Sequence, residues 1–176
     1  MPDPIPPIVG ETTAVNAAFW LKAAHGAVRR FCGWHVAPII DETLTLDGSG
    51  GRDILLPSLR VVELVSVMND GVDVTADVDT SRAGMLRLQS GRWTPRFGRV
   101  SVALRHGYDL EEVPEVAAVI VGAAKRGPQA GGVISSQSVN GASVSYASAG
   151  GAPISIPLLA MEKETLSTYR LEWGSR

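Results

Sequence analysis

Val61-Val62-Glu63-Leu64-Val65-Ser66-Val67-Met68-Asn69-Asp70-Gly71-Val72 reads as one strand, a tight turn and the start of a second strand. β-Branched residues crowd Val61 to Met68 and suit a pleated, half-buried surface. Asn69-Asp70-Gly71 supplies residues that tolerate the positive φ of a hairpin turn. Val72 to Val78 is then expected to return as the partner strand. The same period continues on both sides. Glu42-Thr43-Leu44-Thr45-Leu46 alternates, Asp47-Gly48-Ser49-Gly50-Gly51 makes a turn or tip, and Asp53-Ile54-Leu55-Leu56 is a short strand stopped by Pro57. Downstream, Met85-Leu86-Arg87-Leu88 and Arg99 to Arg105 give two more strands, the second with Val100, Val102 and Leu104 on one face. Short strands at this spacing predict an antiparallel, β-rich segment over residues 39–108 rather than a βαβ unit.

Helical periods flank that segment. Thr12 or Thr13 can cap a helix over 13–33, in which Ala14, Ala17, Leu21, Ala24, Val28 and Phe31 form one stripe of mostly small residues. Gly33 is placed to close it in the left-handed conformation. Pro114 suits the first turn of a second helix over 113–126, and Asp109, Glu111 and Glu112 complement its dipole. Val116 to Ala124 is apolar on nearly every side, which means a buried helix or one shared with a neighbour. Ser155 and Pro157 introduce a third helix over 156–171, with Leu158, Leu159, Met161, Leu166 and Tyr169 as apolar contacts. The expected fold class is therefore α+β: a small bundle of about three main helices, with an antiparallel β-rich insertion between the first and second. One domain spans 13–171. Pro2, Pro4, Pro6 and Pro7 make residues 1–12 an extended arm, and 172–176 form an exposed tail anchored by Trp173.

Composition narrows the function. The 176 residues carry 16 Lys+Arg against 18 Asp+Glu, a formal net charge of −2, without the basic excess of a general nucleic-acid binder. No apolar run reaches the roughly 18 residues that span a bilayer. The first ten residues lack the positive and apolar regions of a secretory signal, so a soluble intracellular product is expected. With a single Cys32, an internal disulfide and a Cys-based zinc cluster are excluded. Gly127 to Met161 contains no Asp, Glu, Lys or Arg, in a chain that is 19% charged overall. Within it, the Gly/Ser-rich stretch 127–154 is expected to be a loop or strand ordered against another subunit, with Val133, Val139, Val144 and Tyr146 as contacts.

Candidate chemistry is sparse. His25 and His35 are ten residues apart, not at the i, i+4 spacing of a helical zinc pair. His106 has Asp109, Glu111 and Glu112 nearby, and a small hydrolase using His106 with Asp109 or Glu112 is one alternative reading. No matching nucleophile stands out. Cys32 falls at a helix C-terminus, where the dipole raises a thiol pKa, so a buried inert thiol is expected. Asp47 to Gly51 lacks the Lys-Ser/Thr end of a phosphate loop, and Asp73, Asp77 and Asp79 lack an EF-hand frame. No cofactor or metal is expected. A monomeric β-rich binding module is a further alternative.

The order of landmarks carries a resemblance. Phe31-Cys32-Gly33-Trp34-His35-Val36-Ala37-Pro38 closes the first helix, followed by Thr43 to Gly48, Leu55-Leu56-Pro57-Ser58-Leu59, Val65-Ser66-Val67 and Asp70-Gly71. Then come Gly84-Met85-Leu86, Trp93, Val100 to Leu104 running into His106-Gly107-Tyr108-Asp109, Val113-Pro114 and Tyr169-Arg170-Leu171. From Ala14 to Leu171 this series resembles the head-to-tail adaptor, or head–tail connector, family of tailed bacteriophages and prophages, especially those of actinobacteria. The resemblance implies a non-enzymatic virion protein of the neck, made in the bacterial host cytoplasm. It implies a homo-oligomeric ring, normally a dodecamer, under the portal protein, with DNA as cargo passing through its centre. The opposite face would receive stopper, head-closure or tail-completion proteins. On that reading Tyr169, Arg170, Leu171 and Trp173 form the portal contact.

Overall fold

Asn16 starts the first helix because its Oδ1 accepts the Phe19 N–H at 3.1 Å, and Gly33 ends it in the left-handed conformation with its N–H on Arg29 O at 2.8 Å. The computed structural model describes residues 16–127, 136–139, 142–145 and 158–172, the two segments 136–139 and 142–145 by backbone alone. Three α-helices lie among them: α1 (Ala17–Cys32), α2 (Pro114–Arg126) and α3 (Ala160–Ser167). Between α1 and α2 run β1 (Ile40–Leu46), β2 (Asp53–Leu55), β3 (Val61–Asn69), β4 (Val72–Asp73), β5 (Val78–Thr80), β6 (Met85–Leu88) and β7 (Val100–His106). The fold is α+β, with a strand-rich insertion between the first two helices. Thr12 and Thr13, expected as caps, lie outside the described residues.

The strands of the insertion form two antiparallel sheets, β1-β7-β3-β4 and β2-β6-β5. Their inner faces share one core, in which Val67, Val100, Val102 and Leu104 from the first sheet meet Ile54, Leu86 and Leu88 from the second. Trp93 fills it further, with its indole N–H donating to Arg52 O at 2.9 Å. Asp70 and Gly71, at φ 50° and 88°, make the tight turn between β3 and β4.

The returning strand expected over Val72 to Val78 is corrected. β4 stops after two residues because Asp73 Oδ1 accepts both the Thr75 N–H (2.9 Å) and its hydroxyl (2.6 Å). Thr75 Oγ1 in turn accepts the Val67 N–H at 2.8 Å, so the chain leaves the first sheet and β5 joins the second. This local Asx geometry outcompetes the ladder.

A second core fills the bundle, with Val28 and Cys32 of α1, Val116 and Val119 of α2, and Leu166 of α3, together with Trp34, Val36 and Val113. Leu21, expected on the inner stripe, is 41% exposed. Arg126 reaches Glu162 at 2.7 Å and ties the end of α2 to α3. α3 is shorter than the expected 156–171. Glu162 Oε2 accepts the Leu159 N–H at 2.9 Å at its start, and the chain leaves the helix after Ser167 so that the Leu171 N–H can reach Cys32 O at 2.8 Å. β8 (Ser136–Val139) and β9 (Ala142–Ser145) pair antiparallel within the Gly/Ser-rich stretch.

Candidate functional site

Ile40 pairs with His106, so the chain enters and leaves the insertion side by side against the bundle. An aromatic cluster occupies this junction. The Trp34 ring lies 5.3 Å from His35, 6.4 Å from His106 and 6.0 Å from Tyr108, and Tyr108 meets Tyr169 edge-on at 5.4 Å. His106 is 1% exposed, with Nε2 3.0 Å from Glu42 Oε2, and its Nδ1 has no hydrogen-bond partner among the described residues. His35 donates from Nε2 to Pro38 O at 3.0 Å, and its ring stands 4.5 Å from that of His106. Burial, then the neighbouring His106, holds the His35 pKa below its ordinary value. Gly107 follows at φ 114°, and a Cβ there would lie 2.6 Å from both His35 Nε2 and Pro38 O, so only glycine fits.

His106 does not pair with Asp109 or Glu112, which corrects the geometry of the hydrolase reading. Asp109 accepts the Glu111 N–H, and Glu112 is held by Arg60 at 2.9 Å and by the Asp109 N–H. Glu42, far away in sequence, takes the place beside the imidazole. Among the described residues, no three His, Cys, Asp or Glu side chains gather to hold a metal. Cys32 is buried, and desolvation pushes its thiol pKa up to about 11, so the thiolate is disfavoured.

Of the residues expected at a portal contact, Tyr169 to Leu171 turn back onto the bundle and do not trail as a free tail. The Trp34 indole N–H donates to Tyr169 O at 2.7 Å, and the Tyr169 hydroxyl donates to Glu115. Burial, reinforced by that bond, raises the Tyr169 pKa to about 12. The Arg170 guanidinium lies 5.5 Å over the Phe31 ring while the side chain stays exposed, and Leu171 is half-buried against the bundle core. Trp173 lies outside the described residues, as do Val133 and Tyr146 of the expected inter-subunit set. Val139 pairs with Ala142, and Val144 with Gln137, in the antiparallel register of β8 and β9.

Two surfaces that the sequence did not single out stand open. A groove of about 340 Å³ runs between α1 and α2, lined by Leu21, Val28, Leu110, Val113, Ile120 and Val121 among others. At the far end of the insertion, Phe97 is 83% exposed in the loop Arg92 to Arg99. The only sequence signal for the second is an aromatic set between arginines and a glycine. For the first there is none, because the groove depends on how far apart the two helices pack.

No protein-family model matches this sequence, and no curated protein matches it. Solved structures do. One is a chain from the neck of a native GTA particle computed with C12 symmetry: TM-score 0.55 and 16% identity, covering 96% of this chain and 99% of that one. Another is from the neck of an empty GTA particle computed with C6 symmetry: TM-score 0.52 and 18% identity, covering 96% and 86%. This chain has the fold of those neck chains along nearly all of its length.

Proposed function

We propose that this chain is a structural subunit of a virion neck, a head-to-tail adaptor that assembles with copies of itself between a portal and the stopper or tail-completion proteins. The carrying observation is the fold held in common, over 96% of the chain, with chains from GTA particle necks computed with C12 and C6 symmetry. The surface agrees with the need for neighbours. Ala117, Ala118 and Val121 leave one face of α2 apolar and exposed, and residues 127–161 bring no charge. In this reading the ring is a dodecamer that DNA traverses, and no catalysis is involved.

Arg170, exposed beside the bundle, and Trp173 reach toward the portal, while Tyr169 and Leu171 fix the pose of that segment. Val133, Val139, Val144 and Tyr146 face the adjacent protomer. Mixing the full chain with its portal and measuring mass and affinity tests the assignment. Stoichiometric rings on the portal are expected, with Arg170→Glu weakening binding at least tenfold and leaving the fold unchanged. A chain that stays monomeric and ignores the portal at every concentration overturns the reading.

A further inference from the structure

Phe97 is nearly naked, yet its loop is tightly held. The Gly98 N–H donates to Asp47 Oδ1 at 2.8 Å, and the Gly48 N–H to Arg96 O at 3.0 Å. Asn69 accepts the Thr94 N–H at 3.0 Å and donates to Arg92 O at 3.2 Å. Arg96 and Arg99 both reach Asp70, at 3.2 and 2.8 Å, and Arg92 is exposed beside them without an ion pair among the described residues. An aromatic side chain can bury about 150–250 Å². Here it is fixed in water among arginines, the composition of an interface anchor.

The α1–α2 groove lies at the other end of β7, roughly 20 Å away by strand rise. Its floor is apolar. At its rim Leu110 is 66% exposed in the run Asp109-Leu110-Glu111-Glu112, where Glu111 carries no ion pair among the described residues. Arg29 stands on the opposite wall, where a guanidinium can lie over an incoming ring.

We propose that Phe97 of one copy seats in the α1–α2 groove of the next, with Arg92 and Arg99 facing Glu111 and Asp109. This rests on the ring reading and names its joint. Plug and socket lie at opposite ends of one strand and cannot meet within a single chain. The contact is therefore head-to-tail, the kind that closes into a ring when its rotation divides a full turn. One aromatic and its arginines fall short of the about 800 Å² per partner of a stable interface. Phe97 is thus the anchor of a wider contact, to which the exposed face of α2 contributes.

Ring formation by the unsubstituted chain is scored first by mass, alone and with the portal, and the joint is then tested by disulfide trapping in the full-length chain carrying Arg96→Cys and Val121→Cys, which keeps Phe97 in place. In rings, oxidation is expected to give a ladder of linked copies that neither single variant gives. Rings without a ladder overturn the joint and leave the neck reading standing, whereas no ring under either condition overturns both. Independently, Arg92→Glu and Glu111→Arg are each expected to weaken self-association at least tenfold and together to restore it. Two neutral single variants overturn the proposed pairing. Phe97→Ala is expected to reduce self-association with folding unchanged. If it weakens portal binding alone, Phe97 faces the portal and the proposal falls.

Discussion

Tyr169 joins three parts of the bundle: its carbonyl receives the Trp34 indole, its hydroxyl reaches Glu115 on α2, and its ring meets Tyr108. Its pKa is raised from the ordinary 10 to about 12, first by burial and then by the bond to Glu115. The folded chain thus keeps a proton that the unfolded chain releases above pH 10, so this contribution to stability is complete below pH 10 and is lost as pH rises toward 12. Glu115 has the opposite sign: the Tyr169 bond lowers its pKa, and its contribution is lost as pH falls through that lowered value. Urea midpoints measured on either side of pH 10 are expected to fall with alkali, and Tyr169→Phe to flatten the fall; an unchanged slope in the variant assigns it to other groups. The sequence marks Tyr169 as a contact residue but not the direction of its contacts, because the indole aimed at its carbonyl stands 135 residues earlier. The same holds for His106, whose partner Glu42 lies on a strand 64 residues away and not among the neighbouring acids.

At the level of elements, local chemistry is legible where it acts alone. Asn69-Asp70-Gly71 predicts a turn and makes one, and Pro114 predicts a helix start and supplies it. It misleads where two local preferences compete, as at Asp73 and Thr75, whose side-chain bonds break a valine-rich strand after two residues and create a second sheet. The groove was illegible for another reason: Leu21 and Val121 carry correct helical spacing, and only the separation of α1 and α2 leaves them open. α3 has eight residues, too few to persist alone, so packing must hold it. Leu166, fully buried between α1 and α2, carries that packing. Leu166→Ala is expected to cost about 2–5 kcal/mol in urea unfolding. A loss below about 1 kcal/mol would mean that α3 is not integral to the bundle core.

At the scale of the whole molecule, the described residues pack into two cores. The sandwich core is built around Trp93 and the bundle core around Trp34, and Val36 and Tyr108 bind the crossing between them through the Tyr108 N–H on Val36 O at 2.9 Å. Replacing residues 41–105 with a two-residue turn is expected to leave a cooperatively unfolding helical protein of lower midpoint, read by far-ultraviolet circular dichroism. A non-cooperative product would show that the bundle depends on the sandwich for its structure. The reason to expect success lies at Ile40 and His106, which are paired neighbours with Cα atoms about 5 Å apart. Both threads of the insertion pass through one doorway, so the module beyond it can be stretched, trimmed or exchanged while the frame stays still. In an assembly of repeated copies, reach and circumference then become separately adjustable dimensions.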